Sequence, residues 1–121
     1  MGVRLDKYTE TATKTSVKNY QQQIGSLIYL ITSTRPDISF SVGQYARFIS
    51  NLGPSHFRAL QRIWQYLIYS RTLKLISDSL SELILTGYCD SDWGGDFSIR
   101  KLTTGYLFLF GNSAVLWLSK L

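Results

Sequence analysis

The apolar positions of this chain fall into two regimes with different periods. From about residue 17 to residue 68 they recur every three or four residues, the spacing that lays one side of an α-helix against a core. Tyr20, Ile24, Leu27, Ile28 and Ile31 form the first stripe. Ser16 is placed to cap its start, and Pro36 ends it near Ser33-Thr34 by disfavouring helical backbone in the residue before it. A second helix opens at Pro36, whose missing N–H costs nothing in a first turn, and Asp37 suits the positive end of the helix dipole. Its stripe is Ile38, Val42, Tyr45, Ala46 and Ile49, closed by Asn51 to Gly53. The third helix starts at Pro54-Ser55 and carries Phe57, Leu60, Ile63, Trp64, Leu67 and Ile68 on one side. Connections this short predict three helices packed together.

Beyond about Thr72 the period becomes two. Leu83, Leu85, Gly87 and Cys89 alternate with Ile84, Thr86, Tyr88 and Asp90, which predicts a strand. A loop rich in Gly and Asp spans Ser91 to Lys101. Thr103 to Phe110 is the second predicted strand and Ala114 to Leu118 the third, with Gly111-Asn112-Ser113 as the turn between them. The expected fold class is α+β, a three-helix unit followed by an antiparallel three-stranded sheet. The expected division is a loose polar leader over 1–16, the helical unit over 17–74 and the sheet over 75–121.

Composition narrows the class. Apolar residues make up 45% of the 121 and charged residues 17%, which excludes a disordered chain. The net charge of +5 is unevenly placed: residues 1–74 carry +7 and residues 75–121 carry −2. A basic half suited to a polyanion is thus joined to an acidic half suited to a cation, against the plain alternative of an unevenly charged solvated surface. Cys89 is the only cysteine, so neither an internal disulfide nor a zinc cluster is available. The first fifteen residues are polar and carry no secretory pattern. The most apolar stretch, Tyr106 to Leu118, is broken by Gly111-Asn112-Ser113 and is shorter than the roughly 18 residues a spanning helix needs. The expectation is an intracellular chain, cytoplasmic or nuclear, not secreted and with no membrane segment.

Asp90, Asp92 and Asp96 put three carboxylates into seven residues at the end of a predicted strand. Mg²⁺ takes oxygen ligands, and Asp90 and Asp92 share side-chain parity if the strand continues. The competing reading is a polar turn that uses Asp and Gly for their backbone geometry. Arg58 and Arg62, spaced i,i+4 beside the third apolar stripe, and Arg71 and Lys74 just beyond it can meet phosphates or simply face water. His56 has no second His or Cys to share a metal, which leaves a surface or capping role. Trp64, Trp93 and Trp117 read as core, and Cys89 as packed under the sheet.

Several separate motifs, in order, give the chain a family resemblance. Tyr20 to Leu30, then Thr34-Arg35-Pro36-Asp37-Ile38, Ala46-Arg47-Phe48, Asn51, Pro54, His56 and Arg62 to Leu67 make up the first part. Gly87 to Asp96, Arg100 to Tyr106 and Trp117-Leu118-Ser119-Lys120 make up the second. Over residues 17–120 this resembles the copia-type retrotransposon Pol polyprotein, at the end of the reverse transcriptase and the opening of the ribonuclease H domain. The resemblance implies a ribonuclease H-like sheet and, in the parent, RNA-directed DNA synthesis with cleavage of RNA–DNA hybrids by a two-Mg²⁺ site. Asp90 matches the first-strand aspartate that bridges the metals, and Asp92 is the weaker candidate. The helices that carry Arg58, Arg62, Arg71 and Lys74 lie beside the primer–template in that family. The sequence departs from the pattern in having no acid after Asp96, so the carboxylates of later elements are missing and the site is incomplete. The Tyr88 to Asp92 run is not the polymerase Tyr-x-Asp-Asp motif, because its aspartates are not adjacent. The expectation is therefore a Pol fragment without catalysis of its own, binding RNA–DNA hybrid or other nucleic acid weakly and holding no Mg²⁺ tightly. The alternative is a basic nucleic-acid-binding module without chemistry.

Overall fold

A computed structural model describes residues 13–49, 52–80, 82–92 and 103–120. Three α-helices precede a three-stranded antiparallel sheet: α1 (Lys14–Ser33), α2 (Ser39–Ala46), α3 (Pro54–Tyr69), then β1 (Leu85–Asp92), β2 (Thr103–Phe110) and β3 (Ser113–Lys120). The strands lie in the order β1-β2-β3. No described helix is long and apolar enough to cross a membrane.

The apolar stripes meet in one core of Tyr20, Ile24, Leu27, Ile38, Val42, Leu52, Leu60, Ile63 and Leu67. Each was placed on a core-facing stripe by its spacing except Leu52, which sits in the loop before α3. Tyr20 is fully buried, and its hydroxyl donates to the carbonyl of Tyr45 at 3.0 Å, which joins α1 to α2. Burial pushes that phenol up to about 12. Trp64 is half-buried against the core and donates its indole N–H to Gln23 at 3.0 Å.

The helix ends differ from expectation in detail. Thr13, not Ser16, caps α1: its hydroxyl oxygen accepts the Ser16 N–H at 3.2 Å, so the helix starts inside the expected polar leader. The second helix is not continuous from Pro36. A single 3₁₀ turn over Pro36–Ile38 precedes α2, which stops at Ala46 short of Ile49.

The sheet begins two residues later than the alternation suggested. Leu85 lies opposite Phe110, the last residue of β2, so Leu83 and Ile84 have no ladder partner on β2. Two residues, Gly111 and Asn112, turn β2 into β3. Gly111 takes a φ of 61°, the left-handed value that the tight hairpin turns require. Gly87 faces Phe108 across the ladder, and an added Cβ would lie 2.6 Å from the ring. Here glycine makes room for an aromatic ring on the neighbouring strand.

The helices and the sheet meet along β3. The Trp117 indole N–H donates to the carbonyl of Ile31 at 2.8 Å. That carbonyl is in the last turn of α1 and has no partner within the helix. The register puts Trp117 and Ser119 on the side of β3 that meets the helices, while Leu116 and Leu118 point the other way. On that second side Leu85, Phe110, Leu116 and Leu118 are all exposed. Cys89 belongs to the same side and is exposed too, which corrects the expectation that it packs under the sheet. No described element lies over that face to bury it.

An apolar face open to water forgoes roughly 1.5–3 kcal/mol per large side chain left unburied. The sheet is accordingly the weaker half. In hydrogen exchange, amides of residues 103–118 are expected to exchange sooner than those of residues 57–68. Equal protection of the two segments refutes this.

Candidate nucleic-acid interface and the Asp90 strand

α3 owes its start to an unusual cap. The N–H of His56 donates to the Gly53 carbonyl at 3.0 Å, and the Gly53 N–H donates to Nδ1 of His56, also at 3.0 Å. The imidazole is fully buried beside Phe48, with ring centroids 4.9 Å apart. Of the two roles expected for His56, capping holds and surface exposure does not. Accepting the Gly53 N–H leaves the lone pair on Nδ1 and the proton on Nε2. Nε2 has no hydrogen-bond partner among the described residues. Burial lowers the affinity of this histidine for a second proton below the ordinary value of 6.5.

The far end of α3 is fixed by Arg35, which sequence reasoning quoted only as part of a motif. The guanidinium is buried and grips Asp37 with two hydrogen bonds of 3.0 and 2.8 Å. It donates to the backbone carbonyl of Ser70 at 3.3 Å and lies 5.6 Å from the centre of the Tyr66 ring. The Tyr66 hydroxyl donates to Asp37 at 2.7 Å. Hydrogen bonding from Arg35 holds the Asp37 carboxyl below its ordinary value of 3.8. The legible signal was an Arg and an Asp two residues apart around a helix-breaking Pro, but the third partner is 35 residues away.

Between these two fixed ends α3 turns a polar side to solvent. Arg58 and Arg62 are exposed on it, one turn apart, and Arg71 and Lys74 are exposed just past its end. No described carboxylate forms an ion pair with any of the four; the described ion pair is Arg35–Asp37. α3 itself contains no acidic residue. These four cations lie along one helix and its exit, and no described carboxylate neutralises their charge.

Asp90 stands on β1, exposed and opposite Gly105. β1 continues through Asp92, whose position pairs with Thr103, so positions 90 and 92 have the same parity. Asp96 and Trp93 lie outside the described residues. Among the described residues no three His, Cys, Asp or Glu side chains converge as metal ligands. Magnesium demands near-octahedral oxygen coordination, which one exposed carboxylate does not supply.

Comparison with known proteins adds relatives. The chain is 43% identical over 102 residues to the Retrovirus-related Pol polyprotein from transposon TNT 1-94 of Nicotiana tabacum, covering 84% of this chain and 8% of that protein. It is 34% identical over 117 residues to the Retrovirus-related Pol polyprotein from transposon RE1 of Arabidopsis thaliana, covering 97% of this chain and 8% of that one. It is 39% identical over 101 residues to Secreted RxLR effector protein 161 of Plasmopara viticola, covering 84% of this chain and 71% of that protein. The chain thus spans less than a tenth of the Pol polyproteins that it matches. No family model matches it, and no solved structure matches it significantly.

The two titrating groups at the ends of α3 give a pH dependence with a definite sign. Both bind protons less readily folded than unfolded, so both contribute stability at neutral pH that is lost on acidification. The His56 contribution is complete above its ordinary 6.5 and is lost as pH falls through its lower folded value. The Asp37 contribution is complete above 3.8 and is lost below that. The urea midpoint is expected to be flat between about pH 7.5 and 9 and to drop in two stages below that range. His56→Gln should remove the first stage and leave the second, whatever its effect on the midpoint at neutral pH. A wild-type midpoint that stays flat down to the range of Asp37 refutes the assignment.

Proposed function

This chain belongs to one family with the Pol polyproteins of copia-type retrotransposons, to which it is homologous over most of its length, and on that premise we propose that it is the part of Pol that ends the reverse transcriptase and opens the ribonuclease H domain. In this reading residues 17–74 are the helical unit that holds nucleic acid, and residues 75–121 supply the opening strands of the nuclease sheet. The observation that carries it is the acid-free outer side of α3, with Arg58 and Arg62 exposed and unpaired among the described residues. A polyanion satisfies such a side, and in this reading the polyanion is an RNA–DNA hybrid or other nucleic acid. Arg71 and Lys74 extend the contact beyond the helix end.

The antiparallel order β1-β2-β3, with Asp90 exposed on the first strand, supports the nuclease half of the reading. Asp90 is one metal ligand of a site that needs several carboxylates. Asp90 alone does not make up such a site, so in this reading these residues contact nucleic acid rather than cut it.

A labelled RNA–DNA hybrid tests both statements in one experiment. Binding followed by fluorescence anisotropy is expected to weaken steeply as salt rises, because each phosphate contact releases counterions. Replacing Arg58 and Arg62 with Ala should lower the slope of log affinity against log salt by about one for each residue. Cleavage in Mg²⁺ or Mn²⁺ is expected to be absent. Absence of binding at low salt, or affinity indifferent to salt, refutes the contact. Metal-dependent cleavage abolished by Asp90→Asn refutes the lack of catalysis.

A further inference from the structure

The outer side of α3 carries an aromatic residue that the phosphate contacts do not use. Arg58, Arg62, Gln65 and Tyr69 follow one another at intervals of four, three and four residues, so they form a single stripe along the helix. The stripe is about 16 Å long at 1.5 Å per residue. Tyr69 ends it at 90% exposure and makes no described hydrogen bond or ring contact. Its neighbour Tyr66 is committed, with its hydroxyl on Asp37 and its ring against Arg35. Among the described residues no hydrogen bond or ring contact engages this second tyrosine one turn on, which follows Arg62 on the stripe and precedes Arg71 and Lys74 in the chain.

We propose that Tyr69 is a base-stacking platform and that the Arg58–Arg62–Tyr69 stripe is a site for single-stranded nucleic acid. The proposal rests on the reading of α3 as a phosphate-contacting surface and adds the form of nucleic acid that it selects. The physical reason is the availability of base faces. In a duplex each base is stacked on its neighbours, so a ring on a helix surface reaches backbone and groove edges but no π-face. In a single strand the faces are free, and an aromatic ring between cations can take one while the cations take the flanking phosphates. Stacking of this kind is indifferent to sequence, since every base has a π-face. The stripe also has the charge for this ligand: α3 has no acid to repel a phosphate, and the only acid between Glu10 and Asp78 is Asp37, already held by Arg35.

The test compares a labelled oligothymidine of about 15 nucleotides with a DNA duplex of the same length, within the range of single-strand site sizes. Fluorescence anisotropy at low salt measures binding of the full chain and of the variants Tyr69→Phe and Tyr69→Ala. A side chain this exposed is replaced without disturbing the core, and circular dichroism checks that. The wild type is expected to bind the single strand several-fold tighter than the duplex. Tyr69→Phe should keep that preference. Tyr69→Ala should weaken the single strand roughly fivefold or more and leave the duplex unchanged. A 2-aminopurine base in the oligonucleotide should lose fluorescence on binding the wild type and not on binding Tyr69→Ala. If Tyr69→Ala binds the single strand as well as the wild type does, or loses both ligands equally, the platform is refuted. If that happens while replacing Arg58 and Arg62 with Ala still weakens both ligands, the phosphate contact stands and only the platform falls. If neither ligand binds at low salt, both readings fall together.

Discussion

The arrangement of the helices depends on a single buried cation. Arg35 sits at the break between α1 and the turn that leads into α2, and it reaches the end of α3 at Ser70. A buried guanidinium without partners is severely destabilising, so its position is tolerated only with its donors satisfied. Asp37 satisfies two of them, the carbonyl and the hydroxyl oxygen of Ser70 accept two more, and the Tyr66 ring lies close by. The consequence reaches the surface. Asp37 is the only acid in a stretch that also contains Arg47, Arg58, Arg62, Arg71 and Lys74. Spending that carboxylate on Arg35 leaves none within the helical unit to neutralise the outer side of α3. The same interaction thus fixes the fold and sets the sign of its exposed face.

The two halves are stabilised by unlike means. The helices share a core to which all three contribute, and their exposed positions are mostly polar. The sheet has long ladders but only one side with a neighbour. Its link to the helices includes the Trp117 bond to an otherwise orphaned carbonyl of α1. That bond satisfies a polar group at low cost, but it adds little buried apolar area. Ladder hydrogen bonds without a second packed layer make a sheet that opens more readily than the helices beneath it.

Most of the fold was legible because period is a local property. The helical stripes named eight of the nine core residues, and the alternation named the three strands. What was not legible depends on partners far along the chain. Arg35 meets Ser70 35 residues on, and Trp117 meets Ile31 86 residues back. The sequence offers Arg35 only as part of a motif, and for His56 it leaves a capping and a surface role both open. Cys89 failed for a different reason. Alternation shows which residues share a side of a sheet but not which side is covered. Of the candidate site residues, Arg58 and Arg62 are exposed on α3, and Arg71 and Lys74 are exposed beyond its end. Asp90 is exposed on its strand, and the carboxylate trio it was grouped with extends to Asp96, outside the described residues.

The chemistry of α3 also bears on why such a surface would suit a Pol-derived segment. Specific readout of bases needs donors and acceptors held rigidly against base edges. The outer side of α3 offers flexible cations, which the proposed contact assigns to phosphates, and an exposed ring, which it assigns to base faces. Both kinds of contact ignore sequence, because phosphate charge and aromatic stacking are common to every nucleotide. The His56–Gly53 cap and the Arg35–Ser70 contact tie both ends of α3 to the fold, and Arg58 and Arg62 keep between them the one-turn spacing on which the proposed contact rests.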